Sequence, residues 1–291
     1  MRKLALAVIL LLAPHAALTQ VQSGTVIIFN FTKDKLVVAA DSRAVYGQSN
    51  IPPDDSRCKI VAFNHKIIFT TSGVAVRLKG SSPLLDPVEG WDNADVARIA
   101  IHSTDLSGSD TQIRIQNVAD NWATLLLDKW RSYYFFYPEQ VRKFAEKGKG
   151  ILTNGVFAEA QQGEIHWALA MVVFNDSIAG GPIARSIDAH FSECSLCGQR
   201  EGHKICAMGQ VEIPAHVCSR NPKFLSHIKR RHASQSKKWD ADELLTAWLV
   251  NMTSVCDLTG TVGGQTDVLD LNKDGRIHWL ARKENCPENQ D

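Results

Sequence analysis

Thr25 follows Gly24, and four more residues able to do chemistry come after it in order: Asp41 and Arg43 in Ala39–Ala40–Asp41–Ser42–Arg43, then Lys59, then Gly73 in Thr70–Thr71–Ser72–Gly73. A threonine hydroxyl is a weak nucleophile and needs a base. If the threonine is the first residue of the chain, its own α-amine can take the proton, because a pKa of about 8 leaves a useful fraction neutral near pH 7. The chemistry is then attack on a carbonyl carbon, and it depends on cleavage between Gly24 and Thr25. Gly24 suits a cut made by the Thr25 hydroxyl itself, since glycine accepts the strained backbone such an attack demands.

The elements that must position these residues are legible. Residues 25–31 are β-branched and aromatic and predict a strand; Lys33–Asp34–Lys35 makes a tight turn, and Leu36–Ala40 is a second, buried strand ending at Asp41. Lys59–Phe63 and Lys66–Thr71 form a second hairpin about Asn64–His65, closed by Ser72–Gly73. Helices are expected from Asn93 to Ile101, over about 112–133, where Ile115, Val118, Trp122, Leu125, Leu126 and Trp130 recur at three and four, and from Pro138. Strands return at about 150–158 and 164–174, a helix at Asp240–Met252 capped by Asp240 or Asp242, and two strands at Asp267–Leu269 and Arg276–Leu280. Runs of strands and runs of helices argue for an α+β fold, with two antiparallel sheets face to face and helices outside.

Over residues 24–75 this pattern resembles the β-type subunits of the proteasome, of the N-terminal-nucleophile hydrolase superfamily. The shared features are the Gly24–Thr25 junction, the step from Thr25 to Asp41, the strand ending in Ala-Ala-Asp-Ser-Arg, the lysine opening the third strand, and the small residue plus glycine closing the fourth. The resemblance implies a four-layer αββα sandwich and hydrolysis of a peptide or other amide. It makes Thr25 nucleophile and base, Lys59 the cation that holds down the pKa of the amine, and Asp41 the partner of Lys59. Gly73 becomes the oxyanion donor and Arg43 a support for the hairpin end. It puts Ala44, Arg57, Thr71 and Ala75 in the substrate pocket, where Arg57 favours an acidic or polar side chain. A homo-oligomer is the family habit, and the chemistry asks for no cofactor or metal. This chain departs from the family in a longer step from Asp41 to Lys59, with Pro52–Pro53 in the extra loop, and in Val26, where active subunits commonly carry a second threonine. Gly209–Gln210 stands where Gly-Ser is expected, and Asp257 precedes Gly263–Gly264 as a loose counterpart of the supporting Asp and glycine pair.

The rest of the chain bounds this reading. Its 291 residues carry 32 Lys+Arg against 31 Asp+Glu, a balance that lacks the basic excess of a nucleic-acid footprint. The basic run Lys229–His232 with Lys237–Lys238 is soon answered by Asp240, Asp242 and Glu243 and reads as solvated. Met1–Arg2–Lys3, the apolar run Leu4–Ala13 and Pro14 read as a secretory signal peptide, too short to span a bilayer as a mature helix. The expected layout is a signal peptide over 1–19, a pro-segment over 20–24 and one domain over 25–291 with a cysteine-bearing insertion around 190–218. The expected location is secreted or periplasmic, with no stable membrane insertion after signal removal. Seven cysteines suit an oxidising compartment, and their odd number leaves at least one outside an intramolecular pair.

Cys194-x-x-Cys197 with His203 and Cys206 has zinc-knuckle-like spacing, though disulfides are the commoner fate in an exported chain. Asp270-x-Asn272-x-Asp274-Gly275 looks like half an EF-hand loop, but Ala281 stands where its closing Glu belongs, so a hairpin turn is expected. The rival to a hydrolase is a non-catalytic exported binding or assembly protein on the same fold; a third class is a zinc-stabilised module on residues 190–218.

Overall fold

The computed structural model describes residues 21–23, 25–46, 52–79, 86–105, 110–175, 181–187, 204–209 and 239–290. In chain order these form β1 (Val21–Ser23), β2 (Val26–Phe31), β3 (Lys35–Ala40), β4 (Val45–Tyr46), β5 (Ile60–Phe63), β6 (Ile67–Gly73), β7 (Val76–Arg77) and β8 (Trp91–Asp92). Then come α1 (Asn93–Ser103), α2 (Thr111–Phe136), α3 (Pro138–Lys147), β9 (Ile151–Gln161), β10 (Glu164–Asn175), β11 (Gly181–Ile187), β12 (Lys204–Gly209), α4 (Ala241–Cys256), β13 (Asp267–Asn272) and β14 (Ile277–Ala281). The fold is mixed α+β, its sheets antiparallel.

Two five-stranded sheets carry the core, in the orders β12-β2-β3-β13-β14 and β11-β10-β9-β6-β5. Side chains alternate along a strand, so a strand covered on both faces is apolar throughout. In β2 and β3, Ile27, Phe29, Leu36, Val38 and Ala40 join Ile68, Val156 and Ala158 of the other sheet in one cluster. Their neighbours Val26, Ile28, Val37 and Ala39 turn the other way, onto Leu245, Leu249 and Val250 of α4. The far side of the second sheet, with Phe69 and Phe157, meets Val96 and Ile101 of α1, Trp122, Leu126 and Trp130 of α2, and Val141 of α3.

Helix termini follow their sequence signals. Asp240 closes a capping box with Glu243 at the start of α4, and Asp110 accepts from the Ile113 N–H at the start of α2. The Asn272–Gly275 segment is the β13–β14 hairpin turn, where Asp274 pairs with Arg276. Among the described residues, no helix is long and apolar enough to cross a membrane.

The sequence reading missed several elements. β1, β4, β7 and β8 build a small sheet of their own, in the order β4-β1-β7-β8. β11 and β12 lie between the strand expected to about 174 and the helix expected from Asp240, where no element was expected. β12 falls inside the stretch assigned to a cysteine-bearing insertion, yet pairs with β2 along its whole length, and Cys206 sits in the apolar cluster between the sheets. The span read as a signal peptide, Gly24, the basic run, Cys194, Cys197 and His203 lie outside the described residues.

Candidate active site

Thr25 leads into β2 and Asp41 follows β3, so the hairpin that pairs Ile27 with Ala40 lays them side by side. The Asp41 carboxylate is the hub of the site. Its Oδ1 accepts from the Thr25 hydroxyl at 2.9 Å, the Val26 N–H at 2.8 Å and the Lys59 ammonium at 2.8 Å. Its Oδ2 accepts from the N–H groups of Arg43 and Gly263, each at 3.1 Å. Asp41 is 1% exposed, and a carboxylate at that depth is tolerable because both oxygens are met by donors, one of them a cation.

The longer loop between Asp41 and Lys59 does not separate them. Reciprocal backbone bonds, at 2.7 and 2.9 Å, hold Ala44 and Asp54 against each other. Lys59 then reaches Asp41 and also donates to the Arg43 carbonyl at 2.5 Å. Burial pushes its ammonium down from 10.5 to about 8; Asp41 and Asp55 oppose that shift and the nearby Lys283 adds to it. The folded pKa is therefore below the unfolded one. From about pH 8 to 10.5 the unfolded chain holds a proton the folded chain lacks, so this group's contribution to stability rises with pH across that window. Urea unfolding of the wild type and Lys59→Met is expected to show the wild type gaining about 2 kcal/mol on the variant between pH 7 and pH 10. A difference that stays flat with pH would rule out a depressed Lys59.

Arg43 holds the hairpin end. Its guanidinium grips Asp55 through two bonds, at 2.7 and 2.8 Å, and its backbone N–H, like that of Ser42, donates on to this region: both meet the Gly263 carbonyl, at 3.0 and 3.1 Å. Gly73 ends β6 opposite Thr153 of β9 at φ +83°, and a Cβ there would lie 2.7 Å from the Leu152 carbonyl oxygen. Among the described residues, no hydrogen bond ties Gly73 to the Asp41 group.

No protein-family model matches the chain, and no curated protein matches it.

Beside Lys59 opens a cavity of about 270 Å³. Ala44, Arg57, Thr71 and Ala75 all line it. Thr71 is fixed there: its hydroxyl donates to the Asn154 carbonyl and accepts from Asn93, both at 2.9 Å. Arg57 is not a lone cation. Its Nε lies 3.4 Å from Asp54 and its Nη1 3.8 Å from Asp92, and both aspartates line the cavity, as does Asp95. Burial raises the pKa of Asp92, while the α1 backbone and Arg57 pull it back. An acidic substrate group would therefore meet carboxylates as well as the guanidinium, which removes the charge argument for Arg57 as an acid-selecting residue.

Two glycines named only as loose counterparts prove to touch the central residues. The Gly263 N–H is an Asp41 donor, delivered by a loop that Asp257 folds through bonds to Thr259, Thr261 and Val262. Gly209, at φ +83°, abuts Thr25 so closely that a Cβ would fall 2.1 Å from the Thr25 carbonyl oxygen. Missed altogether were Asn93, whose amide nitrogen bonds Thr71, the Val74 carbonyl and Thr153, and the buried ion pair of Lys283 with Asp267. The disulfide Cys58–Cys286, immediately before Lys59, was also beyond reach, because spacing does not give pairing.

Proposed function

We propose that this chain is the precursor of a threonine-type peptidase or amidohydrolase of the N-terminal-nucleophile class, in which Thr25 becomes the nucleophile once the bond after Gly24 is cut. The observation that carries the reading is Asp41 Oδ1, which accepts from the Thr25 hydroxyl and the buried Lys59 ammonium at once. The succession of α1–α3, sheet, sheet and α4 supports it, read as a four-layer αββα sandwich. So does β1. The three residues of β1 run antiparallel between β4 and β7 and pair with both, so the chain entering Thr25 is extended and flanked on both sides. A peptide substrate takes the place of β1 when the pro-segment leaves. The disulfide suits an oxidising compartment and hence an exported protein.

In self-cleavage Thr25 Oγ1 attacks the Gly24 carbonyl carbon and its proton passes to Asp41 Oδ1. The Gly24–Thr25 C–N bond then breaks and the nitrogen is protonated. This leaves an ester on Oγ1 and a free α-amine, and water hydrolyses the ester. In turnover that amine takes the hydroxyl proton, the substrate acyl group moves to Oγ1, and the substrate amine departs with the proton. Water, deprotonated by the same amine, releases the acid. The Lys59 cation, held by Asp41, keeps the amine's pKa low, and Gly73 N–H meets the oxyanion.

N-terminal sequencing and intact mass of the secreted chain test this: the mature protein is expected to begin at Thr25 and to hydrolyse peptide amides. A chain that keeps residues 20–24 has no free threonine amine and points to the binding or assembly protein instead. In the same assay, amides with a Glu side chain at the cleaved position are expected to show no advantage over those with Arg, and a clear preference for Glu would restore Arg57 as the selecting charge.

A further inference from the structure

Beyond β14 the chain crosses from one central sheet to the other. β14 is the edge of the first sheet and β5 the edge of the second. The crossing starts at Lys283, whose N–H and ammonium both bind the buried Asp267. It ends at Gln290, which forms a parallel bridge to Phe63: its N–H donates to the Ala62 carbonyl at 2.8 Å, and its carbonyl accepts from Asn64 at 3.1 Å. Along the way Asn285 donates to the Ser56 carbonyl at 2.9 Å, and Asn289 accepts from the His65 N–H at 2.7 Å. Asn285, Pro287 and Gln290 line the cavity beside Lys59.

Within this crossing only Lys283 and Cys286 are buried; Glu284, Asn285, Pro287 and Glu288 are exposed. Beyond Lys283, then, the segment has little apolar burial to hold it. The hydrogen bonds that tie it, which also include Trp279 Nε1–H to the Glu288 carbonyl at 2.9 Å and the Arg282 guanidinium to the Cys286 carbonyl, lie at the periphery, of the kind that open at low cost. Cys286 is the exception, bonded to Cys58 next to Lys59.

We propose that residues 284–290 are a movable wall of the cavity, that the Cys58–Cys286 disulfide holds this wall closed, and that breaking the bond widens the cavity for larger substrate side chains. The substrate part rests on the hydrolase reading. A dithiol opens the bond by exchange: Cys58 and Cys286 are each reduced to a thiol, and the dithiol is oxidised to a cyclic disulfide, two electrons passing in all.

Hydrogen exchange on the folded protein, before and after dithiothreitol, reads the wall directly, and the double variant C58S/C286S does so without a reductant. The amides of Asn64, His65 and Gln290 are expected to exchange at least about tenfold faster when the bond is absent, with those of β2 and β3 staying slow. Equal protection at the three amides overturns the proposal. In the same samples, kcat/KM for a peptide amide with a bulky side chain, relative to alanine, is expected to rise several-fold on reduction. An unchanged ratio overturns the link to substrate choice. If the oxidised wild type hydrolyses no amide at all, the hydrolase reading fails, and the exchange data still decide whether the disulfide holds the wall.

Discussion

Replacing Thr25 by alanine is expected to leave the bond after Gly24 uncut and to lower hydrolysis of peptide amides by at least about a thousandfold, because the covalent route has lost its nucleophile. Thr25→Ser keeps a hydroxyl in reach of Asp41 and should retain both processing and slow turnover. The two variants separate chemistry from folding. Alanine forfeits the bond to Asp41 Oδ1, worth about 1 kcal/mol, which a folded chain of this size can bear. Intact mass gives the processing result, and denaturant melts establish that the alanine variant is folded. An alanine variant that matures at the same bond and stays active would remove Thr25 from the mechanism.

Asp41→Ala is expected to be far more damaging to stability, by about 3–5 kcal/mol. It strands the Lys59 ammonium without its counter-charge at a fully buried position. It also deprives the Thr25 hydroxyl and the N–H groups of Val26, Arg43 and Gly263 of their acceptor. The loss should shrink between pH 7 and about pH 8, where the folded wild type still holds the lysine proton that the folded variant has already shed, and then stay level to pH 10, where both folded chains lack it. Asp41→Asn keeps the shape and one acceptor oxygen and should cost less. Urea midpoints for both variants at pH 7 and pH 10 check the order and the pH trend; a loss under about 1 kcal/mol for the alanine variant would show that Asp41 is not the hub.

How far the sequence reached depended on the length of each signal. β2, β3, β5 and β6 are short, but β-branched and apolar on both faces, and the turns between them are polar, so both hairpins were legible. α2 shows its buried face at three- and four-residue steps through Ile115, Val118, Trp122 and Trp130. β1, β4, β7 and β8 are too short to carry a period, and they exist because other strands lie beside them. β12 was hidden for another reason: Cys206 suggested metal or disulfide chemistry in a stretch whose Ile205 and Met208 are buried sheet residues. Around Asp41, the side chains of Thr25 and Lys59 carry local motifs and were named from the sequence, and the backbone donors to its carboxylate were not. Nothing in the neighbourhood of Gly263 says that its N–H will meet a carboxylate 222 residues earlier in the chain.

The Cys58–Cys286 bond has a topological consequence as well. It closes a covalent ring with a sequence separation of 228, and most of the chain lies inside it. A protease that nicks any bond within the ring makes new termini but no free fragment, so the mass without reductant is unchanged apart from added water. The Gly24–Thr25 bond lies outside the ring, on its N-terminal side. Material cut off there diffuses away with the disulfide intact, so maturation and internal damage can be told apart by comparing masses with and without reductant.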